Sequence, residues 1–558
     1  MHDSILKAAV LGILWRAAFV LTAFAPWHAW SGDAAGALQS EQVPDGPTLE
    51  RMGALIGEIY IYPENIFDLE NPQEDRALYR LANRLHVRTQ PNVIRQQLLF
   101  KSGDRYSQRL VDESERILRD ARYLYDASIR PVAFNDGRVD LAVVTRDVWT
   151  LNPGISFGRR GGKNTSGIEL EELNLLGTGT ALSVSRKSGV DRDSTLFEYK
   201  DRNLFDSWWR VDAQYASNSD GAVRQLDVDR PFYALDSRWA AGVSLLDDEH
   251  IEPLYDLGKV VDEFRAQRKL ASVSWGWSRG LENGWARRWT LGATYDSQQF
   301  SRAPGANLYD LVPEDRKFVY PWIGFELVQD EFGKYTNHDQ IGRTEDFYLG
   351  TRLSVQLGYA SESLGSHRDA LILAAKASHG SASVDQDSTL LLTGSFKSRF
   401  EGGELRNAVI ETAARYYLQQ SQHRLFFATV EAAAGRELDL DTQILLGGDN
   451  GLRGYPLRYQ GGDARALLTL EERYFTDWYP FRLFRVGAAA FVDVGRTWGR
   501  GEVNTPSQGW LKDIGIGLRL GSTRSGLGNV IHVDLAFPLD GGADIKNVQL
   551  LVETKQRF

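Results

Sequence analysis

The sequence predicts an α+β domain followed by a transmembrane antiparallel β-barrel. Three observations predict it: a period-two hydropathy pattern from residue 151 onward, strands of about nine to twelve residues, and no apolar run long enough for a membrane helix after the N-terminus. In Ala271–Ser278, Ala271, Val273, Trp275 and Trp277 share one face, and Ser272, Ser274, Gly276 and Ser278 share the other. Phe347, Leu349, Leu353, Val355, Leu357 and Tyr359 alternate with polar or small residues in the same way, as do Val548, Leu550, Val552, Thr554 and Phe558. Soluble sandwiches also alternate, but their strands run about five or six residues. These strands have the length of a tilted bilayer crossing, and lipid tolerates no open sheet edge, so the sheet must close on itself.

Composition agrees. The chain of 558 residues carries 15 Trp, 22 Tyr, 25 Phe and 53 Gly, which suits aromatic girdles and tight turns. Net charge is −10 with no long basic block, which argues against a nucleic-acid partner. The absence of cysteine excludes disulfides and thiolate metal sites.

The N-terminus reads as an export signal over residues 1–31. Lys7 precedes an apolar core at Ala17–Ala25 (AAFVLTAFA), then Pro26 and small residues at Ala29 and Ser31. Arg16 keeps the tract too short to span a bilayer. Residues 32–54 are aperiodic and expected to be a linker.

Residues 55–150 form the α+β unit. Gly57–Tyr62 alternates as a strand, Glu74–Leu85 is a helix candidate, and two more helices are expected at Asn92–Phe100 and Gln108–Tyr123. The last has Leu110, Ser114, Ile117, Leu118 and Ala121 on one stripe, with Ser107 as N-cap. Strands Ala127–Phe134 and Arg138–Val144 follow, joined by the turn Asn135-Asp136-Gly137. The barrel occupies 151–558.

Within the barrel, Gly447–Tyr455 (GGDNGLRGY) is rich in glycine, which permits a loop that folds back into the lumen. Arg453 at its tip would then need an acid partner. Strand parity supplies candidates. If Val486, Ala488, Ala490, Val492 and Val494 face lipid, Phe491 and Asp493 face inward; Leu468 and Leu470 facing out turns Glu471 in. An Arg–carboxylate pair would pin the loop to the wall. An external loop with a solvated ion pair would contribute little.

These residues carry a resemblance. Residues 55–150 resemble a polypeptide-transport-associated (POTRA) domain. Leu452-Arg453-Gly454-Tyr455, with Phe491-Val492-Asp493-Val494-Gly495 and Glu471 on the intervening strand, resembles the lumen-loop and strand motifs of the BamA/TamA-type outer-membrane assembly and transport superfamily. The resemblance implies a single POTRA domain in the periplasm, a surface-antigen-like barrel of sixteen strands in the bacterial outer membrane, and Phe558 as a C-terminal assembly signal. The pattern count gives up to about twenty strands. It further implies insertion or translocation of unfolded or nascent outer-membrane or secreted proteins, alongside outer-membrane lipid and other periplasmic or inner-membrane assembly proteins. A dedicated two-partner-type secretion transporter and a lipid-handling or structural barrel are the alternatives.

No enzymatic motif survives its context. Gly154-Ile155-Ser156-Phe157-Gly158 has the serine-elbow spacing, but the required helix is not expected after it. The nine histidines are scattered without metal-ligand spacing, and no cofactor is expected.

Overall fold

A computed structural model describes residues 43–558, apart from 500, 502, 504, 527–529, 543–544 and 556–558 and the side chain of residue 306. The expected signal peptide, most of the expected linker and Phe558 lie outside the described residues. The small domain comprises α1 (Gly46–Arg51), β1 (Leu55–Glu64), α2 (Ala77–Leu85), α3 (Pro91–Gln96), α4 (Gln108–Arg119), β2 (Leu124–Asn135) and β3 (Arg138–Asp147). Its sheet has the order β1-β3-β2, with β1 parallel and β2 antiparallel to β3. Asp136 and Gly137 take positive φ in the β2–β3 turn, as the Asp-Gly pair requires.

The expected linker at 32–54 needs correcting. Asp45 accepts the Thr48 amide at 3.0 Å and starts α1, and Leu49 is fully buried among Ile56, Val111, Leu118 and Leu141. One short turn of six residues carries no amphipathic period, so the helix is not legible in the sequence. On α4, Ser114 and Leu118 are buried as the stripe required, as is Ala121 just beyond its end, but Leu110 and Ile117 are only half-buried and Val111 is buried instead. Ser107 occupies the N-cap position without a side-chain capping bond.

From Leu151 onward, twenty antiparallel strands close into a ring, running in chain order and joining first to last. The expectation of sixteen strands is corrected to twenty. The surplus strands belong to the wall and are not external hairpins. Strand ends nearest the small domain form the near end and the opposite ends the far end. Lengths also exceed expectation: Trp239–Asp256, Lys259–Glu282 and Trp285–Asn307 have 18, 24 and 23 residues. Their far halves rise past their neighbours, and Leu254 and Phe264 pack there with Val503 and Leu440 over the far mouth.

Parity holds along the wall. Val273, Trp275 and Trp277 point outward and exposed, and Trp275, Trp277, Trp289 and Phe325 form a row with successive ring centroids 5.4, 6.5 and 4.7 Å apart. The expected continuous strand at Phe347–Tyr359 is corrected. The chain leaves the wall before Thr351, and Thr344–Tyr348 instead pairs with Phe332–Thr336 in a hairpin turned into the lumen. Phe347 and Leu349 are therefore buried with Tyr335, Tyr417 and Phe427 rather than facing outward.

The small domain and barrel form one compact unit from Asp45 onward. The domain lies across the near mouth. It touches near-end turns around the ring through Gln90 N to Gly177 O (2.9 Å), Arg202 to Asp120 (2.8 Å), Leu235 N to Glu113 (2.8 Å), Arg119 to Asp346 (2.7 Å) and Tyr79 Oη to Phe481 O (2.6 Å). Arg524 adds an ion pair to Glu74 and lies over Phe67, 5.0 Å from the ring centroid.

Because Leu49 completes the core, a soluble fragment of residues 45–150 should unfold cooperatively in urea at a higher midpoint than one of residues 55–150. Leu49→Ala in the longer fragment should cost about 2–5 kcal/mol, read by circular dichroism. Equal midpoints for the two fragments would remove α1 from the domain.

Candidate functional site

The segment between strands Arg424–Arg436 and Ala464–Phe475 leaves the wall at the far end and folds inward. It is stiffened by a short ladder pairing Ile444–Leu446 with Gln460–Gly462. Leu452 and Tyr455 are fully buried with Leu446, Tyr459, Leu467 and Leu511, which seats the loop on the inner wall.

Arg453 stands at the centre of the contact. It donates Nε and Nη2 to the two oxygens of Asp493 at 2.7 and 3.0 Å, and Nη1 to Glu471 at 3.0 Å. Its guanidinium carbon lies 3.3 Å from the centroid of the Phe491 ring, and Asp534 is 3.6 Å from Nη1. Two parallel N–H···O bonds over an aromatic face suit the planar guanidinium and not an ammonium. Thr469 donates its hydroxyl to Asp493 at 2.7 Å and fixes the carboxylate from the other side.

The neighbouring motif residues complete the seat. The Gly454 amide donates to Asp513 at 3.0 Å, and a Cβ at Gly454 would lie 2.7 Å from the Asp513 Cβ. The Tyr455 hydroxyl bonds the carbonyls of Lys512 and Asp540 at 2.9 and 3.0 Å. Gly495 leaves room for Leu446, whose Cδ2 would stand 3.0 Å from an added Cβ. The structure thus gathers Leu452, Arg453, Gly454, Tyr455, Glu471, Phe491, Asp493 and Gly495 into one site. Val486, expected on the lipid face, is buried.

Parity turns Glu471, Phe491 and Asp493 inward as expected and misses the burial of Val486; it was also not carried to the rest of the cluster. Arg473, Asp513, Arg519 and Asp534 join the same cluster from three strands. Glu471 receives Arg473 at 3.0 Å and Arg519 at 3.5 Å in addition to Arg453, and Arg519 also pairs with Asp534. Extending the inward parity of Glu471 by two residues finds Arg473, and Asp513 faces inward as the cross-strand partner of Asp493.

The cluster is also reached from the near end. The hairpin between strands Arg316–Gln329 and Thr351–Ala360 inserts its tip so that Arg473 donates to His338 O at 2.7 Å and Tyr417 to Asp339 at 3.0 Å. Its base is held by the small domain through Arg119 to Asp346, Lys334 to Glu115 (2.7 Å) and Tyr125 to Gly342 O (2.9 Å). Within the hairpin Glu345 accepts the amides of His338, Asp339 and Gln340 at 2.9, 2.9 and 3.1 Å. Burial, with Asp339 alongside, pushes its carboxyl up to about 8.

On the far side the loop meets hairpin tips from the opposite wall. Arg458 pairs with Asp191 at 2.7 Å, and Gly161 lies against the loop so closely that a Cβ would fall 2.2 Å from Leu457 N. Gly161 belongs to the tip after the first barrel strand, Leu151–Arg160. Ser156 sits within that strand, which ends in this turn and not in a helix.

The ring is closed by that first strand and the last, Gln549–Lys555. Among the described residues their ladder holds a single registered pair, Val552 with Arg159. The first strand pairs with the second all the way from Leu151–Glu172 to Arg160–Lys163, and the last with its other neighbour from Gln549–Ala536 to Lys555–Val530. An ion pair from Arg160 to Glu553 bridges the seam.

No protein-family model matches the sequence, and no curated protein matches it. Solved structures do. CdiB from Escherichia coli aligns at 13% identity and TM-score 0.46, over 91% of this chain and 77% of that one. CdiB from Acinetobacter baumannii aligns at 12% identity and TM-score 0.40, over 90% and 74%. BamA from Haemophilus ducreyi lacking POTRA domains 1–3 aligns at 12% identity and TM-score 0.37, over 89% and 84%. Likenesses of this depth carry no functional weight.

Removing Arg453 strands Asp493 in a buried setting, and breaking such a pair costs about 3–5 kcal/mol. Arg453→Ala should leave the ring folded and heat-modifiable on gels while exposing Arg458 to trypsin. Arg453→Lys should not restore protection, because an ammonium cannot span both Asp493 oxygens.

Glu345 gives a pH dependence. Its folded pKa lies above the ordinary 4.5, so between that value and about 8 the folded hairpin holds a proton the unfolded chain has lost. Stability of the hairpin should therefore fall as pH rises through this window and level off above it. Hydrogen exchange over residues 332–348, corrected for intrinsic rates, should show this, and Glu345→Gln should flatten it.

Proposed function

We propose that the chain is an outer-membrane protein-insertion or translocation factor, with the ring spanning the membrane and residues 45–150 acting as a single POTRA domain in the periplasm. The outward apolar and aromatic wall supports the membrane reading, since the exposed face carries Val273, Trp275, Leu291, Ile323, Ile514 and Ile516. The parallel β1–β3 pairing leaves β1 at the edge of its sheet, where an extended client strand can add. The opposite edge strand, β2, is partly guarded by α4, with Glu115 accepting Ile129 N at 2.8 Å and Arg119 donating to Ala127 O at 2.9 Å. Clients are unfolded or nascent outer-membrane or secreted proteins, and their own folding supplies the driving force.

The observation that carries insertion is the seam. Among the described residues, a ring otherwise zipped by long ladders has one line held by a single registered pair and an ion pair. Meanwhile the lumen is crossed by the Arg453 loop and by the near-end hairpin. Lateral opening therefore breaks few backbone bonds, and the strand edges it frees are a template for an incoming strand. In this scheme Arg453, Glu471 and Asp493 hold the wall next to the seam in register, with Leu452, Gly454, Tyr455, Phe491 and Gly495 shaping the seat. Phe558 serves as the assembly signal of the barrel itself.

A secretion transporter is the second reading. One observation favours it: a polar cavity of about 670 Å³ lies along the wall from strand Arg316–Gln329 to strand Ala464–Phe475, lined by Glu326, Arg352, Ser354, Lys376, Glu411 and Arg465 among others.

The native chain has no cysteine, so Arg159→Cys with Val552→Cys can lock the seam cleanly. In proteoliposomes, the oxidised double variant should fail to fold a nascent barrel client into the bilayer, and reduction should restore it. Full activity of locked protein would remove lateral opening and leave passage through the lumen.

A further inference from the structure

Helix α2 presents three leucines to the surroundings: Leu78 is 67% exposed, Leu81 49% and Leu85 64%. At the helical period they fall within an arc of about 60°. A second sector seats the helix, with Tyr79 stacked on Phe67 at 4.3 Å between centroids and Asn83 bonded to Phe67 N and O. A third carries Arg80 and Arg84, part of a series with Arg76 and Arg88 at every fourth residue, all exposed. Arg80 pairs with Asp75 at 2.7 Å on the surface. An apolar stripe flanked by arginines is the pattern of a helix lying in a membrane interface.

Its position points to the same partner. Tyr79 donates to the carbonyl of Phe481, in the near-end turn between strands Ala464–Phe475 and Phe484–Trp498. In that turn Phe481 is 72% and Trp478 65% exposed, and Tyr474 and Phe484 are exposed at the near ends of the two strands. Aromatic side chains in such a row mark the level of lipid headgroups. Helix α2 is therefore attached, through Tyr79, to the aromatic rim of the lipid-facing wall.

We propose that α2 is an interfacial helix bound to anionic lipid of the near leaflet. Leu78, Leu81 and Leu85 enter the boundary between headgroups and acyl chains. Arg80, Arg84 and Arg88 reach headgroup phosphates, their stems lying along the apolar layer. The inference rests on the ring spanning a membrane. It gives the small domain a lipid anchor beside the outer wall.

The test uses full-length protein in vesicles of phosphatidylcholine and phosphatidylglycerol. Single cysteines replace Leu78, Leu81 or Leu85, and each carries an environment-sensitive fluorophore. Ile516→Cys on the barrel wall is the lipid reference, and Asn135→Cys, exposed beside the β2–β3 turn at the end of the hairpin remote from the barrel, is the water reference. Spin-labelled lipid should quench the three helix positions several-fold more than position 135, and iodide should quench them several-fold less. Arg80→Gln with Arg84→Gln and Arg88→Gln should reduce the lipid quenching in this mixture but not in pure phosphatidylcholine. Iodide access equal to position 135, with position 516 still quenched by lipid, overturns the anchor and leaves the spanning ring intact. Loss of lipid quenching at 516 itself overturns the spanning ring. Protection found only in native membranes, and not in vesicles, assigns the stripe to a protein partner and overturns the lipid anchor.

Discussion

A guanidinium buried inside the ring organises this structure. A twenty-strand ring is too wide for wall side chains to fill, and here two chain segments occupy part of it. Segments inserted there bring backbone and charge away from bulk water and need fixed partners. Arg453 supplies the fixture, because one planar group can meet Asp493, Glu471 and the face of Phe491 at once. Its loop then orders the hairpin tips above it through Arg458 and the close approach at Gly161.

Glu471 extends that arrangement across the lumen. Its two oxygens face Arg453, Arg473 and Arg519, and Arg473 in turn holds the carbonyl of His338 in the near-end hairpin. That hairpin is tied to α4 by Arg119 and Lys334. Continuous charged contacts therefore run from the small domain to the far-end loop. The far-end loop and the small domain thus share one set of partners through Glu471, Arg473 and the near-end hairpin.

Much of this was legible in the sequence because strand parity is strict. Asp493, Glu471 and Phe491 face inward wherever their strands pair, so the acid partner of Arg453 followed from alternation alone. The strand total was legible only as an upper bound: the pattern allowed about twenty alternating runs, whereas the resemblance implied sixteen, and the ring has twenty. Alternation fails where the chain leaves the wall without changing its pattern. Phe347 and Leu349 keep the period of Leu353 and Val355, yet they pack inside the lumen. Only Gly350 and the long polar stretch before it hinted at the departure. Helix α1 was hidden because six residues are too few for a period, and Arg519 and Asp534 because parity alone does not say which inward charges meet.

The order in which contacts can form has a consequence for how the chain reaches and keeps its native state. Asp493, Asp513 and Asp534 lie on three adjacent strands near the C-terminus, and the loop reaches all three only when those strands stand side by side. The clasp is thus a late event in maturation, made after the slow, non-local pairing of the wall. Interactions absent from the folding barrier do little to hasten assembly and mainly slow its reversal. Arg453 in this light is a timer on disassembly: it lengthens the life of the finished ring while leaving the route to it almost untouched.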